Sequence, residues 1–82
     1  MSRIALSPWS RQKMDPIALA VLEQRAWALG CWVSTVLRIR GRREWVVRAF
    51  STERTVELRA QGSLAAIIAG CLDDYETATE AA

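Results

Sequence analysis

The sequence predicts an α+β domain in which two helices pack on one face of a three-stranded antiparallel sheet, in the order α-β-β-β-α. Apolar residues recur at helical spacing near both ends of the chain, at 16–29 and 64–75. Between them, three segments alternate apolar and polar residues with period two. Two helices with apolar stripes need one apolar sheet face to cover them. The 82 residues suffice for one domain.

We expect that domain to span residues 15–76, between an N-terminal tail at 1–14 and a frayed C-terminus at 77–82. The tail shows no sustained periodicity, although "SRIAL" is compatible with a short edge strand. "SPWSRQK" is typical of a turn or tail, because Ser-Pro favours an extended turn entry. A tryptophan in such a tail, Trp9, either folds back onto the core or contacts a partner.

The first helix has a signal at each end. Asp15 can cap the first turn, and Pro16 follows at the first helical position, where its missing N–H costs nothing. Gly30 supplies the left-handed stop. The stripe predicted to face the sheet consists of Ala18, Val21, Leu22, Ala26 and Leu29.

Three strands follow at residues 31–40, 44–50 and 55–60, and Gly41 allows a tight turn after the first of them. The second strand carries apolar residues on both faces, so its orientation stays open. In the third, Val56, Leu58 and Ala60 are expected inward, and Thr55, Glu57 and Arg59 outward.

The second helix is predicted to begin after Ser63, which is a natural N-cap. Its stripe contains Leu64, Ile67, Ile68, Cys71, Leu72 and Tyr75. Gly70 is expected on the opposite side, where it only weakens the helix.

The sheet face away from the helices is the candidate binding surface. Charge is divided along the chain: residues 38–59 carry a net +4 and residues 60–82 a net −4. Exposed tryptophan and arginine are enriched at protein interfaces, and they also suit phosphate and base contacts in nucleic acids. Three interpretations stay open: a protein interface, a solvated or self-associating face, and a nucleic-acid interface. The candidate partner-binding residues are Trp32, Arg38, Arg40, Arg42, Arg43 and Arg59, with the acidic Asp73, Asp74 and Glu76 as a second group.

Catalysis is poorly supported, and we expect a protein that is not an enzyme and has no cofactor. The chain has no histidine and no CxxC pair, which disfavours general acid–base chemistry and a zinc site. Cys31 and Cys71 lie among apolar residues without an activating base nearby. The adjacent Asp73 and Asp74 point about 100° apart on a helix, as in a solvated helix end.

A soluble cytoplasmic protein is expected. The first residues lack the basic–apolar–small pattern of a signal peptide. No apolar run approaches the ~20 residues that span a bilayer.

The predicted element order from Asp15 to about Tyr75 resembles that of the double-stranded RNA-binding domain. In that family the loop between the first two strands enters a minor groove, and here that loop is "GRR", from Gly41 to Arg43. The family also holds phosphates with lysines at the start of its second helix, where this sequence reads "GSLAAII". The resemblance implies RNA or DNA binding through an arginine-rich hairpin.

The strand that leads through "QGSLAAIIAGCL" into an apolar-striped helix resembles small proteins of phages and mobile elements, including anti-CRISPR inhibitors. This resemblance implies stoichiometric inhibition of a host protein or ribonucleoprotein complex, such as a CRISPR effector subunit, in the host cytoplasm. A basic target would meet the acidic group of residues. An acidic or mixed target would meet Arg38, Arg40 and Arg42, and a homodimer through the open face remains a further possibility.

Overall fold

Four strands and three helices are present in the computed structural model, which describes residues 2–81, without the side chains of residues 79–81. The predicted α+β class is confirmed, and the predicted count of three strands and two helices is wrong. In chain order the elements are β1 (Ile4–Ala5), α1 (Pro8–Lys13), α2 (Pro16–Leu29), β2 (Trp32–Arg40), β3 (Arg42–Phe50), β4 (Thr55–Ala60) and α3 (Leu64–Ala81).

Both additional elements come from the segment that the sequence analysis assigned to a tail. "SPWSRQK" forms α1, because the Ser7 hydroxyl accepts the Ser10 N–H at 3.1 Å and Pro8 stands at the first helical position. In the Ser-Pro pair that suggested a turn, Ser7 therefore caps the helix, and Pro8 occupies the first helical position, where proline is tolerated. The "SRIAL" segment supplies β1, which pairs in parallel with β2 at one edge of the sheet.

The register of the sheet decides which side chains share a face. β2 and β3 pair antiparallel from Trp32↔Phe50 to Arg40↔Arg42, and β4 pairs antiparallel with β3. Gly41 joins β2 to β3 with a φ of 74°, in the left-handed region that favours glycine. Even-numbered residues of β2 and β3 therefore share one face with the odd-numbered residues of β4.

The core lies on the other face, under α2 and α3. The predicted stripe of α3 is confirmed, since all six of its residues are buried. Val33 and Val47 of the sheet belong to the same core, and Ile4 of β1 joins them with no exposed surface. The sequence left the facing of β3 open, and the structure turns Val47 and Ala49 inward.

Helix α2 differs from the prediction at one position of its stripe. Leu22 and Ala26 are buried and Ala18 and Leu29 half-buried, but Val21 is 59% exposed. The prediction failed because α2 is apolar almost all round, so the periodicity does not fix its rotation. Polar contacts on either side of the buried stripe fit the observed rotation: Glu23 reaches the N-terminal segment and Arg25 reaches α3.

Helix α3 differs from the prediction in two details. It continues to Ala81, beyond the predicted end at residue 76, and Ala82 lies outside the described residues. Gly70 does not point away from the sheet, because a Cβ there would lie 3.3 Å from Leu58 Cδ2. The glycine therefore allows close approach between α3 and β4.

The N-terminal segment is held to the domain by the Glu23 carboxylate. Its two oxygens accept the N–H groups of Arg3 at 2.9 Å and Ile4 at 3.2 Å, and the hydroxyl of Ser2 also donates to it. Burial of this carboxylate disfavours ionisation, but the hydrogen bonds outweigh it and lower its pKa below the ordinary 4.5. The Val33 N–H then donates to the Arg3 carbonyl at 2.8 Å, which continues the anchor into the sheet.

We expect Ile4→Ala to lower the free energy of unfolding by about 2–4 kcal/mol, because it leaves a cavity in a fully buried site. Ile17→Ala is the matched control, since Ile17 is 75% exposed and its truncation should cost less than about 0.5 kcal/mol. Urea denaturation of both variants measures the difference. Equal effects would show that residues 2–5 are not part of the folded domain.

We expect Glu23→Gln to destabilise the protein by about 1 kcal/mol at neutral pH, since it weakens charge-assisted hydrogen bonds to the N-terminal segment. A lowered native pKa means that the stabilisation is present above the ordinary pKa of 4.5 and is lost as pH falls through the lowered value. The difference in free energy of unfolding between wild type and variant should therefore become smaller in acid.

Denaturation curves from pH 7 to pH 3 test this, with Glu53→Gln as control. The exposed Glu53 side chain makes no hydrogen bond or ion pair within residues 2–81, so its replacement should have little effect at any pH. A Glu23→Gln gap that stays constant down to pH 3 would contradict the assigned role.

Candidate functional site

The sheet face opposite α2 and α3 carries most of the predicted site, and we call it the open face. Cross-strand pairs order it in rows, from Trp32 beside Phe50 at one end to Arg40 beside Arg42 at the other. Its residues are Trp32, Ser34, Val36, Arg38 and Arg40 of β2, Arg42, Glu44, Val46, Arg48 and Phe50 of β3, and Thr55, Glu57 and Arg59 of β4.

Apolar side chains occupy the middle and one end of the open face. Val36 is 55% exposed and lies opposite Val46, while Trp32 is 39% exposed and lies opposite Phe50. Contiguous exposed apolar surface tends to mark binding, whereas single exposed apolar residues do not. The Ser34–Arg48 pair lies between these two apolar pairs, so the open face carries two small apolar areas among polar side chains.

The other end of the open face is rich in unpaired cations. Arg38, Arg40 and Arg42 are exposed, and within residues 2–81 none of them forms an ion pair. Together with Gly41 and Glu44 they line a shallow cavity of about 400 Å³. A guanidinium group offers planar, bidentate contacts, so this end is suited to carboxylate or phosphate groups of a partner.

The middle of the open face contains arginines that are already engaged. Arg48 Nη2 lies 2.9 Å and Arg48 Nε 3.0 Å from one oxygen of Glu57, and Arg59 Nε lies 3.1 Å from the other. These hydrogen bonds, Arg48 first, lower the pKa of Glu57. Arg59, which the sequence placed in the binding set, is therefore on the predicted face but shares its charge with Glu57.

Arg43 is separated from its neighbours in the predicted set. It pairs with Ile39 in the register and therefore lies on the helix side of the hairpin, whereas Arg42 lies on the open face. The sequence predicted that both arginines lie in one turn, but it did not assign either of them to a face of the sheet, because the register of the hairpin was not known. The structure gives two adjacent, exposed arginines that point to opposite sides.

The acidic group lies apart from the open face, on α3. Arg25 Nη2 contacts Asp73, and it lies 3.0 Å from Glu76 Oε2. Hydrogen bonds to Glu76 and Asp73 raise the pKa of Arg25. Two of the three predicted acidic residues thus link α3 to α2, and Asp74 is exposed.

An unpredicted aromatic–arginine stack borders the open face. The guanidinium carbon of Arg3 lies 4.1 Å from the ring centroid of Trp27 and 4.3 Å from that of Trp32. Arg3 Nε is buried without a hydrogen-bond partner, and stacking on both sides offers it electrostatic compensation instead. The stack fixes the orientation of Trp32 at the edge of the apolar row.

Neither cysteine is poised as a nucleophile. Both are free and buried, and burial raises the pKa of Cys71 to about 11 and raises that of Cys31 as well. The Cys71 thiol lies 3.5 Å from the carbonyl oxygens of Val47 and Val56, which suits a structural role. Within the described part of the chain, no group of three or more potential ligands is placed to hold a metal ion.

Sequence reasoning missed the Arg3 stack and the exact membership of the open face on β3. Counting outward from Gly41 would have paired Val36 with Val46 and Ser34 with Arg48, so this signal was present. For Arg3 there was none, because its partners Trp27 and Trp32 are distant in the chain.

Among residues 2–81, no helix has the length and apolar character needed to cross a bilayer. Comparison with protein-family models, with characterised proteins and with solved structures found no match to this chain.

Proposed function

We propose that this protein is a non-enzymatic binding protein whose open face docks onto an acidic and partly apolar surface of another protein. The observation that supports this most is the row of unpaired guanidinium groups of Arg38, Arg40 and Arg42 beside the exposed Val36. Apolar centres with charged surroundings are typical of protein interfaces, in which arginine and tryptophan dominate the binding energy.

Charge complementarity supports the acidic character of the partner. The open face carries five arginines against two glutamates, a net charge of +3. Within the described residues, three of those arginines form no ion pair with a carboxylate. A partner that supplies carboxylates would gain charge-assisted hydrogen bonds and faster association.

We further propose that binding inhibits the partner, as the resemblance to small phage and mobile-element proteins implies, and that a CRISPR effector subunit is a suitable target. An 82-residue domain with one open sheet face can act by occupying a docking surface, one copy per target. This mode of action needs no catalytic group.

The second candidate is RNA or DNA binding through the β2–β3 hairpin. The same unpaired arginines favour it, since they suit phosphates, and Trp32 could stack on a base. This candidate predicts binding that weakens steeply as salt rises, because each phosphate contact releases counterions.

We expect Arg40→Glu combined with Arg42→Glu to weaken partner binding by about 10- to 100-fold, because two guanidinium contacts become repulsive. The matched control is Arg43→Glu, which changes charge next to Arg42 but on the other side of the hairpin and should leave binding unchanged. Binding is measured by surface plasmon resonance on purified CRISPR effector complexes, and on other partners identified from lysate and then purified.

Three outcomes would contradict the proposal. Equal losses of affinity in Arg43→Glu and in the double variant would indicate that the net charge alone, and not the position of the arginines, determines binding. Loss of binding in Asp73→Lys with Asp74→Lys, but not in the open-face variant, would place the interface on α3. Salt-sensitive binding to a labelled single strand or RNA duplex, without protein binding, would favour the second candidate.

A further inference from the structure

A second candidate site lies on the helix side of the sheet, between α1, the β2–β3 hairpin and the start of α3. It is a cavity of about 360 Å³, a volume within the range of small-ligand sites. Its lining includes two indoles, Trp9 and Trp45, and two cationic side chains, Lys13 and Arg43. None of these belongs to the open face, so the cavity is separate from the surface of the proposed function.

The two indoles supply flat aromatic surface. Trp9 is 48% exposed although α1 holds it against the domain, and Trp45 is half-buried at the margin of the core. Both also line an adjoining cavity of about 280 Å³, so ring surface is available on two sides. Stacking on an indole suits a planar ring of any sequence, because every base has a π face.

The two cations are available to an anion. Arg43 is exposed and forms no ion pair within residues 2–81, and Lys13 Nζ lies 4.8 Å from the Trp9 ring centroid. One carboxylate also lines the cavity, that of Asp15, and it accepts the Ile17 N–H at 3.3 Å. Two positive groups against one negative group leave the cavity with a positive balance.

We propose that this cavity binds a nucleoside phosphate, free or at the end of a single strand. The base stacks on the indoles of Trp9 and Trp45, and the phosphate meets Lys13 and Arg43. The volume holds roughly one nucleotide. The buried Met14 and Leu64 add apolar surface to the lining.

The chain offers a direct spectroscopic test, because its four tryptophans give four indole N–H signals in a ¹⁵N-labelled sample. Titration with adenosine monophosphate should shift the signals of Trp9 and Trp45 and saturate with a dissociation constant on the order of 0.1–1 mM, as expected for a small open site. The signals of Trp27 and Trp32, which do not line the cavity, should not move. Tryptophan-to-phenylalanine variants assign the four signals.

Arg43→Glu and Arg42→Glu form the matched pair of variants. They change the same charge at adjacent positions, but only Arg43 lines the cavity. Arg43→Glu should weaken binding of adenosine monophosphate by about tenfold or more, and Arg42→Glu by less than about twofold. The same spectra show whether each variant is folded.

Adenosine and pyrophosphate separate the two halves of the ligand, and each should bind more weakly than the nucleotide. A 5′-phosphorylated eight-nucleotide strand distinguishes the sources: tighter, Arg43-dependent binding supports a strand end, and equal affinity supports a free nucleotide.

The proposal is overturned by no shift at 10 mM nucleotide, by shifts at all four indoles, by equal effects of the two variants, or by pyrophosphate binding as well as the nucleotide. Since Arg43→Glu leaves the open face intact, failure here does not affect the proposed function.

Discussion

The side-chain alternation of the β2–β3 hairpin is the constraint on which the other features of this protein depend. The pairing from Trp32↔Phe50 to Arg40↔Arg42 assigns every residue of both strands to a face. A shift of one residue would reverse the faces of one strand relative to the other and turn either Val33 or Val47 toward water. Their almost complete burial in the core opposes such a shift, and Gly41 supplies the backbone conformation that the turn requires.

The parts of the fold that the sequence predicted are those in which pattern and packing agree. The stripe of α3 and the alternation of β4 are strongly periodic and were assigned correctly. The facing of Val21 on α2 was not, because α2 is apolar almost all round and its polar contacts through Glu23 and Arg25 are long-range. The short edge strand that the sequence allowed at "SRIAL" is present as β1, whereas α1 was missed because it is too short to show periodicity.

The sequence predicted which residue types form the candidate site, but not how they are arranged in space. The local density of arginine indicated a binding surface, and the open face contains Trp32, Arg38, Arg40, Arg42 and Arg59 as expected. The assignment of the adjacent Arg42 and Arg43 to different faces required knowledge of the register. The cavity beside Arg43 required tertiary structure as well, because Trp9, Lys13 and Trp45 come from elements distant in the chain. One hairpin thus presents guanidinium groups to two different environments.

The shortness of β1 has a consequence for how copies of this protein behave beside one another. β1 covers only Val33 and Ser34, so β2 from Val36 onward is an uncovered strand edge. Such edges can template pairing between chains, and natural proteins often protect them with charge. Here Arg38 and Arg40 stand on that edge, so mutual repulsion of like charges opposes edge-to-edge stacking. Because salt screens such repulsion, edge-to-edge pairing of two copies should be opposed less at high ionic strength than at low.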